Sequence, residues 1–484
     1  MSLDKSAPPQ EPVRDVEELV AYFRAGEKPR EAFRVGMEHE KIGLRAGTFD
    51  PIPYAGPRGI GELLRRLPRF GYELFLEGET PIAATHGPLA VTLEPGGQLE
   101  LSGRPFECLH DLDRELRRHL ALGRALASEL GHVWLGVGYR PWGSPASAEW
   151  MPKGRYARMR EKLSRTGAYG LDMMTMTATV QASFDYADDA DMARLLRGAT
   201  AVSPLVAALF ANSPLRDGKE SGLLSMRTEV WRAVDPARCG PLAAAFEPGF
   251  GYRAYADWAL DVPMIFLRRP AGRRASGVPT SGVGARGPSE DPSASERPDG
   301  PPASSAEYRD PRGLTFRRFL AEGLDGERAT ISDWEDHLTT LFPEVRLKRV
   351  IEMRSADMGS RDMCVALPTL WKGIVYDRDA LAAAEQLVPL PFSERLALHG
   401  EVARHALRAK AGRHLALELC RELVEIADAG LRRQGRCGAD ETRFLAPLRE
   451  LLERGKCPAE IALDRLHGEY HGDAGRLVEH WRVA

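Results

Sequence analysis

The chain has 484 residues, 43% of them hydrophobic and 28% charged, which allows two or three average domains, or one large one, around a sizeable core. A formal charge of −3 and a pI near 6.5 give no bulk attraction to nucleic acid or an anionic membrane, so neither is expected as a partner. No apolar run approaches bilayer length, no signal-peptide h-region opens the chain, and six cysteines lie without a CxxC pair; the expectation is a cytoplasmic protein with reduced thiols, not a disulfide scaffold or zinc ribbon.

Residues 1–12 are Pro-rich and polar and read as a flexible tail. Val13–Phe23 follows as a short amphipathic helix, with Val16, Leu19, Val20 and Phe23 on one side. Arg34–Arg45, RVGMEHEKIGLR, then alternates as a strand does: Gly36, Glu38 and Glu40 share one face, and Phe33, Val35 and Met37 take the other. Two carboxylates side by side on a sheet repel each other, and a bound cation would offset that repulsion. The glycines of Gly56–Leu67 match neither GxGxxG nor GxxxxGK[ST], so they read as helix punctuation and not as a phosphate loop.

Glu94–Gly103, EPGGQLELSG, repeats the acidic design. A Pro-Gly-Gly turn is followed by Gln98, Glu100 and Ser102 on one face and Leu99 and Leu101 on the other, with Glu94 just before the turn. Leu109, Leu112, Leu116 and Leu120 mark a long helix ending near Gly131, along which His110, His119 and His132 read as surface histidines. Over Leu171–Tyr186, Thr175, Thr177, Thr179, Gln181 and Ser183 line one face of an expected strand, able to orient a polar small molecule or simply to meet water. Asp189–Phe210 is a structural helix, and in SMRTEVW Arg227 and Trp231 are four apart, able to meet on one helical face.

Residues 270–312 are rich in Pro, Gly, Ser and charge and read as a disordered insertion. Order is expected to resume before His337–Gly359, where Glu352 and Arg354 share a strand face opposite Ile351 and Met353. From about Phe392 the chain reads as helical, with Leu396, Val402, Leu415, Leu419, Leu423 and Ile426 in long apolar stripes. His467 and His471 are not in HExxH spacing and are not read as a metal pair.

Glu38, Glu40, Glu94, Glu100 and Glu352 are thus an all-oxygen ligand set, which suits Mg²⁺ or Mn²⁺ shared with substrate phosphates. Arg354 beside Glu352 suits a phosphate or carboxylate, and Lys153 and Arg155 add cations. The inventory points to phosphoryl chemistry on an antiparallel sheet.

The segments MEHEKIGL, EPGGQLELSG, MPKGRY, LDMM…TVQ, ALFANSPL, SMR…W, LDVPM and HLTTLFPEVRLKRVIEMR, in this order, resemble the plant and proteobacterial type of glutamate–cysteine ligase. The likeness spans residues 30–378 apart from the insertion and is weaker beyond. It implies an α+β, glutamine-synthetase-like fold: a curved, mainly antiparallel sheet lining the active site, helices outside, a catalytic region over 13–378 and a helical region over 379–484 packed on it. It also implies ATP-dependent joining of glutamate, through a γ-glutamyl phosphate, to the amine of cysteine, by a monomer or homodimer. The five glutamates match the family's Mg²⁺ ligands, and Glu352 and Arg354 its catalytic pair. Thr177, Thr179, Gln181, Arg227 and Trp231 would bind the amino acids, and Lys153, Arg155 and Tyr156 the nucleotide. Where plant members read MMFRTCTVQ, this chain has MMTMTATVQ, placing Met176 and Ala178 at an arginine and a cysteine. Pro311 replaces one plant regulatory cysteine, which implies no plant-like disulfide switch.

Overall fold

The computed structural model describes residues 11–270, 306–435 and 437–484. Its centre is a nine-stranded sheet in which every pairing is antiparallel. The strands are β1 (Val35–Arg45), β2 (Glu73–Glu77), β3 (Thr80–His86), β4 (Leu89–Leu93), β5 (Leu99–Ser102), β6 (His132–Leu135), β7 (Val180–Phe184), β8 (Val345–Leu347) and β9 (Ile351–Met353). They run in the order β8-β9-β7-β1-β5-β4-β3-β2, with β6 paired to the second half of β1. The alternation of apolar and polar residues along β1 sets its register: Glu40 lies opposite Glu100 on β5, and Glu38 lies between Ser102 on β5 and Gln181 on β7.

The apolar face is covered by two helices, Leu109–Leu130 and Arg361–Val375. The first buries Leu109, Leu112, Leu116 and Leu120, each contributing about 2 kcal/mol, and Gly131 ends it in the left-handed conformation at φ 70°. Leu116→Ala would leave a hole and cost roughly 2–5 kcal/mol. Ala416–Gln434 forms a further layer on Arg361–Val375. The chain's last residues return to the sheet, where Trp134 N–H donates to Ala484 O (2.8 Å) and Val483 N–H to Trp134 O (2.9 Å). Asp189–Leu209 is long and apolar enough to cross a bilayer, but 89% of its apolar window is buried in protein.

Four expectations are corrected. His119 and His132 are buried, at 5% and 3% exposure, because their helix and strand pack into the sheet's covered side. Leu396 and Leu415 leave the apolar stripes and stand exposed, the first on the outer side of its helix and the second in a two-residue strand. The insertion is shorter than 270–312: Leu267–Pro270 pairs with Ala306–Arg309 as an antiparallel ribbon. Ion pairs hold that ribbon where aliphatic residues are few, with Arg269 bridging Asp333 and Glu327 (both 2.5 Å) and Tyr308 packed edge-on to Phe266. The rest of the insertion, 271–305, and residues 1–10 of the tail lie outside the described residues. Finally, only Val180–Phe184 of the expected Thr-rich strand is strand, since Gly170–Met176 is a helix.

Candidate active site

The uncovered sheet face gathers the acids. Cross-strand register puts Glu38 and Glu40 of β1 beside Ser102 and Glu100 of β5, and Ser102 Oγ lies 2.8 Å from Glu100 Oε1 and 3.1 Å from Glu38 Oε1. Glu94 joins them through the Pro95–Gly97 turn. Gly97 takes φ 84° there, and a Cβ on Gly96 would sit 2.4 Å from Thr175 O, so the turn packs flat on the neighbouring segment only with glycines. Burial, then the charges of Glu94 and Glu100, drive the Glu40 pKa well above the ordinary carboxylate value. Burial and Glu100 raise Glu94 to about 7, against the pull of Lys153 and Arg155. The Ser102 hydroxyl and the Lys153 ammonium favour the charged form of Glu100 against its burial. Among the described residues, no three of these carboxylates bring oxygens within 4.8 Å of one another.

Glu352 stands apart from that group. Arg346 Nε (2.7 Å), Lys348 Nζ (2.5 Å) and Arg354 Nη1 (3.6 Å) surround its carboxylate. Against its burial, these cations hold its pKa far below the usual range, Arg346 first. Sequence reasoning missed Arg346 and Lys348. The signal lay in the short hairpin of VRLKRVIEM, whose register sets Arg346 opposite Glu352.

Arg354 links the two groups. Its Nη1 donates to Gln181 Oε1 (2.5 Å), and its guanidinium lies 5.9 Å from the Trp231 ring centre. Arg227 covers the same ring at 5.9 Å and donates from Nη2 to Arg354 O (2.8 Å), while its Nε has no partner among the described residues. Trp231 is pinned from the side by Phe342. Buried Asp357, also missed, takes bonds from Asn212 N–H, Ser213 Oγ and Ser225 Oγ, and so braces the start of the helix Met226–Arg232. On the Glu94 side, Lys153 Nζ (2.7 Å) and Tyr156 Oη (2.5 Å) both donate to Leu93 O, and burial lowers Lys153 to about 8. Arg155 lies over the Tyr156 ring, its Nε without a partner among the described residues.

The hydroxyl face expected of Thr175–Ser183 is not formed. Thr175 and Thr177 donate to Leu171 O and Met173 O in the preceding helix, and Thr179 Oγ1 to Ala356 O (2.7 Å). Their hydroxyls are spent on backbone, while Gln181 and Ser183 keep the alternation of β7, Gln181 opposite Glu38 and Ser183 opposite Glu352. Thr179 contributes instead through its N–H, which donates to Glu40 Oε2 (3.1 Å). Met176 is fully buried, and its Sδ lies 2.8 Å from Arg140 Nη2, so a guanidinium from the adjoining segment fills this place.

Comparison with known proteins then decides the family. The model of glutamate-cysteine ligase family 2 (GCS2) matches residues 34–480. The chloroplastic glutamate–cysteine ligase of Nicotiana tabacum is 38% identical over 468 residues, covering 96% of this chain and 81% of the relative. That of Brassica juncea is 39% identical over 460 residues, covering 94% and 81%. The chain belongs to the glutamate–cysteine ligase family. A crystal structure of the Francisella tularensis glutamate–cysteine ligase in complex with AMP shares the fold at TM-score 0.51 and 13% identity, covering 93% of this chain and 87% of that one. The family match extends across both the sheet and the C-terminal helices of this ligase. The expected cytoplasmic location is overturned, because the matched plant relatives are chloroplastic proteins.

Proposed function

We propose that this chain is an ATP-dependent glutamate–cysteine ligase that forms γ-glutamylcysteine and works with Mg²⁺, or Mn²⁺, at its acidic cluster. The observation that carries this reading is the meeting of Glu40, Glu94 and Glu100 on one sheet face, each raising or sharing the protonation of the next, opposite Arg227, Arg354, Lys153 and Arg155. A carboxyl raised to about 7, as Glu94 is, beside a second one raised by burial and like charge, is a group a divalent cation would stabilise. The oxygen-only donor set of Glu38, Glu40, Glu94 and Glu100 is of the chemistry that suits ions shared with substrate phosphates. When bound, the metal offsets phosphate charge and polarises the transferring group.

A carboxylate is a poor electrophile, so glutamate must be activated. Its γ-carboxylate oxygen attacks the γ-phosphorus of ATP and the bond to ADP breaks, giving an acyl phosphate. The cysteine amine attacks the acyl carbon, phosphate leaves with the bonding electrons, and the nitrogen loses a proton. Arg354, fixed by Gln181, Glu352 and the Trp231 ring, offers its remaining N–H groups to the phosphoryl oxygens. Arg227 has an unpartnered Nε for a substrate carboxylate. Lys153, Arg155 and Tyr156 flank the nucleotide from the Glu94 side. Glu352 serves as the anchor of Arg346 and Arg354, and Thr177 and Thr179 hold backbone in place. The purified chain with ATP, Mg²⁺, glutamate and cysteine should give γ-glutamylcysteine in the mass spectrum, with cysteine preferred over a panel of amines. Faster phosphate release with a different amine would transfer the assignment to another carboxylate–amine ligase, and no product at all would end it.

A further inference from the structure

Away from the acidic face, two thiols 329 residues apart in sequence meet. Cys108 is the N-cap residue of the helix Leu109–Leu130 behind the sheet, and Cys437 lies in the turn after Ala416–Gln434. Their Sγ atoms are 2.7 Å apart, and both side chains are half-buried, within reach of a small solute. Cys364, Cys420 and Cys457 are buried.

Glu441 lies with both sulfurs, all three ligand atoms within 4.8 Å of one another. A metal reading fails on two counts. Tetrahedral Zn–S bonds of about 2.3 Å hold sulfurs about 3.7 Å apart, well beyond this contact. Glu441 is also committed: Oε1 accepts from Leu109 N–H (2.7 Å) and Oε2 pairs with Lys372 Nζ (2.6 Å), which reaches on to Glu107 O (2.8 Å). The carboxylate thus caps the helix that Cys108 begins.

We propose that Cys108 and Cys437 form a reversible disulfide by exchange with a low-molecular-weight disulfide, latching the C-terminal helices to the helix behind the catalytic sheet. Cys108, as its thiolate, attacks one sulfur of the small disulfide and expels the other as a thiolate. Cys437 then attacks Cys108 Sγ in the mixed disulfide and expels the second small thiolate. One disulfide forms and one breaks, and the two cysteine protons end on the two released thiols. The bond fixes the turn that carries Glu441 and closes a loop of some 330 residues in the unfolded chain, so its effect is on stability. Neither sulfur touches the acidic face, and turnover is unchanged.

The test treats the full-length protein with glutathione disulfide, alkylates the remaining thiols and maps peptides by mass spectrometry. The expected result is one cross-linked pair, Cys108 with Cys437, reversed by dithiothreitol and absent from C108S and C437S. Thermal unfolding should shift up by a few degrees on oxidation in the parent and in neither variant. Absence of the cross-link at excess glutathione disulfide, glutathione left on either cysteine as the final product, or stoichiometric zinc in the purified protein that C437S loses would each overturn the proposal.

Discussion

Strand β1 carries ionisable groups on both faces, and they meet opposite fates. On one face Glu38 and Glu40 stay partly accessible beside Glu100, with like charges facing each other across the register. On the other, His39 and Lys41 are fully buried: Lys41 Nζ lies 3.0 Å from His119 Nε2 and 3.2 Å from Leu99 O, the His119 bond resting on a neutral imidazole. Burial pushes both histidines well below their ordinary pKa and brings Lys41 down to about 7. The covered face thus resolves its electrostatics within the protein, by giving up charge and sharing hydrogen bonds. The open face relieves its repulsion only by raising Glu40 and Glu94 toward protonation, which a cationic ligand can reverse. One alternating strand separates a site that needs a ligand from a core that does not.

The largest break in that contrast should come from Arg354→Lys and Glu40→Gln. On the proposed mechanism each removes a group that would meet substrate or metal, and each should cut turnover by about 10²–10³-fold in a phosphate-release assay. Glu40→Gln also deletes a repelled carboxylate, so its unfolding midpoint should stay level or rise. A drop of many degrees would mean that Glu40 is structural. Glu352→Gln should behave differently, because its carboxylate neutralises Arg346 and Lys348. Turnover should fall by about 10²-fold, and stability by roughly 3–5 kcal/mol as buried cations lose their partner, read by denaturant unfolding. Full stability with lost activity would move Glu352 from anchor to ligand.

A smaller effect sharpens the same contrast without altering the parent chain. Millimolar Mg²⁺ should raise the thermal midpoint of the protein, since binding to the folded state alone adds RT ln(1 + [L]/Kd). Chelation should abolish turnover. In Glu94→Gln the gain should shrink, because one member of the proton-sharing pair is gone. An equal gain in parent and variant would place the ion elsewhere.

Much of this contrast was legible as alternation. A period of two along RVGMEHEKIGLR and GQLELSG identifies the acid face, because central strands keep their pleat. The helix Leu109–Leu130 and the Arg227–Trp231 pair follow from a period near four in the same way. What failed shared one cause: the outcome was fixed by partners distant in sequence. TMTATVQ alternates on paper, yet a helix ending at Met176 and bridges from Tyr139 and Asp357 take Thr177 and Thr179 out of any open face. His119 reads as a surface residue until Lys41 is seen to need an acceptor behind the sheet. The cations around Glu352 went unread for the same reason, since it is the hairpin that turns Arg346 and Lys348 toward it. The Leu267–Pro270 ribbon depends on ion pairs with Asp333 and Glu327, which composition does not reveal.

The smallest expected effect on activity tests the covered face. Lys41 titrates near 7 in the folded protein and near 10.5 unfolded. Between those values the unfolded chain holds the extra proton, so stability should rise with pH, by up to about 1.4 kcal/mol per pH unit. Below pH 7 both states are protonated, the cost of burying the charge is complete, and this contribution levels off. Lys41→Met should remove the positive slope between pH 7 and 10 in denaturant unfolding. At pH 8 it should leave turnover within about twofold, because the ammonium faces away from the acids. The loss of a donor to His119 would lower the variant's stability by a constant amount and leave the slope test intact. An unchanged slope would show that Lys41 keeps its charge, so that the two faces of β1 would share one unresolved electrostatic problem.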